Sequence, residues 1–501
     1  MLSDGKDAVG DANYERHRPE QTLLYQIVEA HYPALLEQLG QQGKCLPEHV
    51  RRAFDDYLKC GRLEHGFLRV RCNTCHLERL VAFSCKRRGF CPSCGARRMA
   101  ETAALLADEV FPDVPLRQWV ISFPFPLRYL FAAHPQAMGK VLRIIYRGIS
   151  THLLHKAGLQ LNDGATGAVT LIQRFGSALN LNIHFHILFL DGVYVYRYNR
   201  PPRFQRVKAP VKDELENLVQ LISQRVGRCL ERQGLLEQDS ESAWLELDPA
   251  EETDAMPQIL GSSVSYRIAI GPQQGRKAFM IRTIRPLDQS DPGLERVAKA
   301  NGFSLHAGVS CEGHQKEKRE RLCRYIARPA VAVPRLSLSS TGKVLYILKT
   351  PYRDGTTQVA FEPVDFMARL AALIPKPRIN LTRYHGVLAP NHRWRGLLTP
   401  AKRGKGVKRI ANTEVRSPAE RHVAMSWAQR LKRVFNIDIE VCGRCGGSVK
   451  VIACIEDQDI IDRILAHLRD KDPTSSTLPL LIPPSRAPPE TLPLFAWKGA
   501  R

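Results

Sequence analysis

Three groups of residues in this chain carry types and spacings that could do chemistry. Cys72-Asn-Thr-Cys75 and Cys91-Pro-Ser-Cys94 are two C-x2-C pairs with fifteen residues between them. That spacing lets four thiolates close a tetrahedral shell around zinc and leaves no position open for substrate. Cys60, Cys85, His65 and His76 lie close enough in sequence to replace a ligand or to serve a second ion. Further on, Cys442-Gly-Arg-Cys445, with Cys454 and His467 as partners, offers either a second zinc site or a pair that packs as a turn. His184 and His186 alternate with Ile183, Phe185, Ile187 and Phe189. A strand here sends both imidazoles to one face and the apolar side chains to the other. Such a pair can share an ion, or it can be two hydrogen-bonded structural histidines. The third group is a predicted helix over 315–328, with Arg321, Arg324, Tyr325 and Arg328 on one broad face and Leu322, Cys323 and Ile326 on the other. A phenol with an ordinary pKa of ~10 attacks a phosphodiester only where positive charge favours the phenolate and the pentacoordinate transition state. Arg324 and Arg328 are the candidate sources of that charge, and an amphipathic helix with a boundary tyrosine is the plainer alternative.

The elements that would position these groups read as α+β. A helical lead-in runs over 23–58, followed by the cysteine-rich stretch and a helix from Ala100. Arg117 opens a buried strand stopped by Pro124 and Pro126. Then come a helix over 136–157, strands over 168–175 and 182–190, and an amphipathic helix over 211–238. The tyrosine helix ends at Pro329, Arg353-Asp354-Gly355 marks a hairpin, and 364–373 is helical. A short hairpin between the two central strands would set Gln173 opposite His184 on the same face, making it the preferred third ligand of a cation, with His306 and Asp191 next. Trp119, Tyr129, Phe185 and Trp394 could stack on bases or fill cores. Lys402 and Arg403 belong to a glycine-containing basic linker over 396–423, a helix over 424–435 leads into the last cysteines, and prolines crowd the tail beyond 470.

Lys and Arg number 73 against 50 Asp and Glu, a formal charge of +23 that suits a polyanion and disfavours a basic partner. Lys86, Arg87, Arg88, Arg97 and Arg98 sit among the first cysteines, where phosphate contact is the natural use. No apolar run is long enough to span a bilayer and the N-terminus lacks an apolar signal core, which predicts a cytoplasmic protein with no membrane partner. Thirteen cysteines in 501 residues are too few for a disulfide scaffold and favour metal.

Several strings in order, GFLRVRCNTC, FSCKRRGFCPSCGARRM, RQWVISFPFPLRY, IQRFGSALNLNIHFHILFLDGVY, FSLHAGV, RLCRYIARPAV, RYHGVLAP and WAQRLKRVFNIDIEVCGRCGG, resemble the rolling-circle transposases of the insertion sequence ninety-one type. These belong to the HUH superfamily, named for histidine, hydrophobic residue, histidine. The resemblance covers about 24–468. It implies an HUH nuclease domain (106–395) on a central antiparallel sheet flanked by helices, preceded by a zinc-binding DNA-recognition domain (21–105). A disordered tail (1–20), the basic linker, a small cysteine-containing module (424–470) and a proline-rich tail (471–501) complete the organisation. Carried over residue by residue, His184 and His186 match the metal pair, Tyr325 matches the nucleophile, and Arg328 stands where many relatives carry Lys. Two-tyrosine members have a second Tyr four residues away; here Pro329 and Arg321 flank Tyr325 at that distance, which resembles the single-tyrosine subgroup of insertion sequence common region elements. The implied activity is nicking and strand transfer of single-stranded DNA at element ends through a 5′-phosphotyrosine, with structural Zn²⁺ and catalytic Mg²⁺ or Mn²⁺. The other classes weighed are a DNA-binding regulator without nuclease activity and a metal phosphodiesterase that uses water.

Overall fold

The computed structural model describes residues 18–238, 243–245, 252–284, 297–401 and 440–471. Residues 402–423 of the expected basic linker, Lys402 and Arg403 among them, the expected helix over 424–435 and nearly all of the proline-rich tail lie outside these residues. The lead-in is two helices rather than one: α1 (Leu23–Gln41), whose first turn is capped by Thr22, and α2 (Glu48–Lys59), which begins after Pro47. A hairpin of β1 (Phe67–Cys72) and β2 (Glu78–Ala82) follows, then α3 (Pro92–Leu105), opened by a proline whose missing N–H costs nothing in a first turn. β3 (Leu116–Ser122), α4 (Pro135–Lys156), β4 (Gly167–Phe175), β5 (Leu181–Leu190), α5 (Lys212–Glu231), β6 (Val297–Ala300), β7 (Phe303–Cys311), α6 (Lys316–Ile326), α7 (Pro363–Leu373), β8 (Thr382–Gly386) and β9 (Val449–Ile455) make up the rest of the main framework.

Six strands form one antiparallel sheet in the order β6-β7-β3-β5-β4-β8. Its two faces are packed differently. Ile183, Phe185, Ile187 and Phe189 of β5, all fully buried, join Trp119 and Ile121 of β3 under apolar side chains from α1, α4, α5 and α7. On the other face Leu188 and Leu190 of β5, with Val169 and Leu171 of β4, meet Leu322, Cys323 and Ile326 of α6 and Ala103 of α3. The two-residue period of a strand puts His184 and His186 on this second face. The tyrosine helix therefore packs on the side of the sheet that carries the histidines.

A separate three-stranded antiparallel sheet, in the order β9-β1-β2, belongs to the cysteine region. β9 lies alongside β1 from Phe67 opposite Ile455 to Cys72 opposite Val449. The small C-terminal cysteine-containing module thus adds its strand to the sheet of the N-terminal cysteine region.

Candidate active site

The hairpin between β4 and β5 closes through the Gly176 amide on the Asn180 carbonyl at 2.9 Å. It sets Gln173 directly opposite His184 and Leu171 opposite His186. The two Nε2 atoms converge at 3.2 Å. His184 Nδ1 gives its proton to the Asn182 carbonyl at 2.9 Å, which leaves its Nε2 lone pair facing inward. His186 Nδ1 lies 2.7 Å from Gln118 Nε2, whose amide donates to it, so that His186 carries its proton on Nε2 and points it at His184. Burial, helped by the charge of Arg328, pushes His186 well below the usual imidazole range and His184 down to about 4, so both rings are neutral at pH 7.

Gln173 connects this pair to the tyrosine helix. Its Nε2 donates to the carbonyl of Ile326, the residue after Tyr325, while its Oε1 is buried with no hydrogen-bond partner. Asn182 Oδ1 and Arg328 Nη1 are buried and unpartnered as well. Three such atoms come from the residues around one histidine pair, whereas buried polar atoms are ordinarily partnered. Arg328 sits over the Tyr325 ring with its guanidinium carbon 4.4 Å from the centroid, and Lys349 Nζ is 4.7 Å from the same ring. Burial alone would push the half-buried Tyr325 phenol up. The charge and hydrogen bond of Arg328, with Lys349 and Arg335, outweigh it and hold the phenol below its ordinary value.

Arg324 is not part of this group. It lines a cleft with Glu317, Glu320 and Arg321, because a residue one position before Tyr325 is turned about 100° around the helix. The cations that replace it, Lys349 and Arg335, flank two strands of a four-stranded sheet (336–338, 344–347, 356–361 and 279–282). No local spacing connects them to Tyr325. Of the reserve ligands, Asp191 is excluded because both its oxygens are held by Arg117 at 2.8 Å in a buried ion pair. His306 shares the histidine face but is two strands from His186, with Val120 between them. Among the described residues no third His, Cys, Asp or Glu converges with the pair. Trp119 and Phe185 are core residues, 1% and 0% exposed, and do not reach bases. Tyr129 and Trp394 are half-buried against the cores.

The cysteines regroup. The two local pairs do not share one site, so the expected shell of Cys72, Cys75, Cys91 and Cys94 is corrected to two tetrads: Cys60, Cys85, Cys91 and Cys94, and Cys72, Cys75, Cys442 and Cys445. Within the first, Sγ separations are 3.7 Å for Cys60–Cys94, 3.4 Å for Cys85–Cys94 and 3.8 Å for Cys60–Cys91. A zinc tetrahedron with Zn–S of about 2.3 Å has edges of about 3.8 Å. The Cys85 amide donates to Cys60 Sγ at 3.2 Å, as a thiolate requires. Cys454, expected as a third C-terminal ligand, stands outside both tetrads, its thiol directed at Glu456. The first tetrad is tied to the tyrosine helix, since α3 packs on α6. Gly95, next to Cys94, lies so close to Pro329 that a Cβ there would stand 2.7 Å from the proline ring.

The basic cluster is partly engaged inside the protein. Arg87 pairs with Asp56, Arg97 with Glu101 at 3.2 Å, Arg88 with the Ile379 carbonyl, and Arg98 with the carbonyls of Lys86 and Arg87. Lys86 and Arg87 are the exposed members.

The protein thus joins an antiparallel sheet, which carries an ordered histidine pair beside a tyrosine flanked by cations, to a domain with two cysteine tetrads. Residues 27–123 match the transposase zinc-binding domain of the insertion sequence ninety-one type, and residues 167–395 match the Y2 family described as "Putative transposase". Together the matches cover more than half of the chain, which belongs to the transposases of the insertion sequence ninety-one type. No curated protein and no solved structure matches it. The first tetrad lies wholly within the matched zinc-binding domain. DNA is the partner that the family implies, and among the described residues no helix is long and apolar enough to cross a membrane.

Proposed function

We propose that this transposase nicks and rejoins single strands of DNA through a covalent 5′-phosphotyrosine on Tyr325. The observation that supports it best is the common neighbourhood of Arg328, which is stacked on Tyr325 and is felt by both His184 and His186. The Tyr325 oxygen attacks the scissile phosphorus. The bond from phosphorus to the 3′-oxygen breaks, and that oxygen leaves as a 3′-hydroxyl after taking a proton from water. The phenol's own proton goes to solvent, eased by Arg328, Lys349 and Arg335. The same cations oppose the charge that builds on the phosphoryl oxygens. The ester so formed retains the energy of the broken phosphodiester, and a second 3′-hydroxyl reverses the step on a new strand without ATP.

His184, His186 and the Oε1 of Gln173 fit a divalent cation: two neutral nitrogens and one buried, unpartnered oxygen on neighbouring strands. Mg²⁺ or Mn²⁺ bound there would supply Lewis-acid polarisation of a non-bridging phosphate oxygen. Gln118 has a role in admitting it. Turning its carboxamide over lets Oε1 accept from His186 Nδ1–H, which moves the imidazole proton off Nε2 and frees that nitrogen as a ligand. Arg321 lies one turn before Tyr325 in α6 and Pro329 lies beyond the end of the helix, so the segment offers one nucleophile, in keeping with the single-tyrosine subgroup. Lys86 and Arg87, with Lys402 and Arg403 of the linker sequence, are the proposed phosphate contacts.

The test is incubation of the purified protein with end-labelled single-stranded DNA and Mn²⁺. A denaturation-resistant adduct in the wild type, absent from Tyr325→Phe, is expected. No cleavage favours a DNA-binding regulator, cleavage without an adduct favours hydrolysis by water, and an adduct that survives in Tyr325→Phe rules out this nucleophile.

A further inference from the structure

We infer that Cys72, Cys75, Cys442 and Cys445 bind a second structural zinc ion, which clamps residues 440–471 onto the N-terminal zinc-binding domain so that each completes the other. The matched domain ends at residue 123 and contains only two of these four cysteines. The others come from far along the chain, Cys445 being 373 positions from Cys72.

The sulfurs are spaced for a metal. Cys72–Cys445 and Cys75–Cys442 are 3.5 and 3.6 Å apart, close to the edge of a zinc–thiolate tetrahedron and far from the ~2.05 Å of a disulfide. Ordinary burial of apolar cysteines does not account for the meeting. Cys445 is exposed and Cys75 half-exposed, yet both turn their sulfurs toward the same point. The Thr74 amide donates to Cys72 Sγ at 3.4 Å, and the Cys442 amide donates to the Gly447 carbonyl at 2.8 Å, closing the two knuckles.

The knuckles are also built against each other. Asn73 donates through its amide to the Ser448 carbonyl at 2.9 Å and through Nδ2 to Ser448 Oγ at 2.8 Å. Gly447 leaves no room for a side chain, since a Cβ would collide with Thr74 and stand 3.0 Å from Cys72 Sγ. β9 then pairs with β1 along its length, and the helix Gln458–Lys471 rests on the turn Leu63–His65, where Gln458 Nε2 donates to the Glu64 carbonyl at 3.4 Å. Apolar packing here is thin. Val451 and Ile452 of β9 are 58% and 40% exposed, and Ile461 is the buried anchor of the helix. A three-stranded sheet with so little core needs a staple, and four converging thiolates are one.

Native mass spectrometry of the full chain tests this without reference to catalysis. The wild type is expected to carry two zinc ions and Cys442→Ser/Cys445→Ser one, with Cys454→Ser retaining two. A protease site inserted between residues 420 and 421 gives a second readout. After cleavage the C-terminal fragment should stay with the rest of the protein on gel filtration and leave when a chelator is added. Two ions retained in the double variant, loss of an ion in Cys454→Ser, or departure of the cut fragment in the presence of zinc would each overturn the clamp.

Discussion

The first cysteine tetrad and the histidine pair differ in how far they are satisfied. The tetrad is closed: three of its four thiols are buried or nearly so, each sulfur faces another, and a backbone amide completes the set. Hydrogen bonds among the thiols push Cys60 and Cys94 down and Cys85 and Cys91 up. The histidine pair is open. Its nitrogens converge next to a buried amide oxygen, a guanidinium nitrogen and a second amide oxygen, none of which has a partner. A closed site spends its donors on holding the fold, whereas an open one keeps unpaired groups for a substrate. The two are coupled through α3 on α6 and through Gly95 against Pro329, so the closed site holds the wall of the open one.

That contrast can be broken in order of effect. Cys60→Ser/Cys94→Ser should be the most severe change. Structural zinc binding is worth on the order of 10 kcal/mol, so native mass spectrometry should show the loss of one ion and calorimetry the loss of the cooperative thermal transition; an unchanged transition would mean the tetrad is not structural. His186→Ala should do the opposite, leaving the melting temperature within a few degrees while nicking falls by about 100-fold or more. If both variants lost stability equally, the distinction between the sites would disappear. The mildest change is Lys349→Ala. Its charge helps hold the phenol down, so its removal should raise the Tyr325 pKa and move the rise of nicking with pH to higher pH. Less phenolate would then be present near pH 7, and nicking there should fall by up to about tenfold. An unmoved pH profile would show that Lys349 does not act on the phenol.

How much of this was legible in the sequence depends on distance along the chain. Alternation of His184 and His186 with four large apolar residues announced a buried strand with two polar side chains on one face, and the structure has that strand as β5. Gln173 opposite His184 was legible too, because a short hairpin fixes register within a few residues. The tetrads were not. Spacing rules join neighbouring knuckles, and nothing local says that Cys72 and Cys75 wait for a pair 367 to 373 residues on. Arg335 and Lys349 escaped notice for the same reason, since a separate sheet delivers them. A helical wheel puts Arg324 on the broad face of Tyr325, whereas in the structure Arg324 lines a cleft with Glu317, Glu320 and Arg321, and Arg328, just beyond the end of α6, is the arginine stacked on the phenol.

The central claim is that the phenol of Tyr325 forms the bond to DNA. Its most direct test is to trap the adduct on a single-stranded element end, digest protein and DNA exhaustively, and sequence the remaining nucleotide-bearing peptide by mass spectrometry. The expected result is a 5′-linked nucleotide on Tyr325, within the tryptic peptide Tyr325–Arg335, since Pro329 protects the bond after Arg328. A nucleotide mapped to any other residue, or a 3′ linkage on Tyr325, would contradict it.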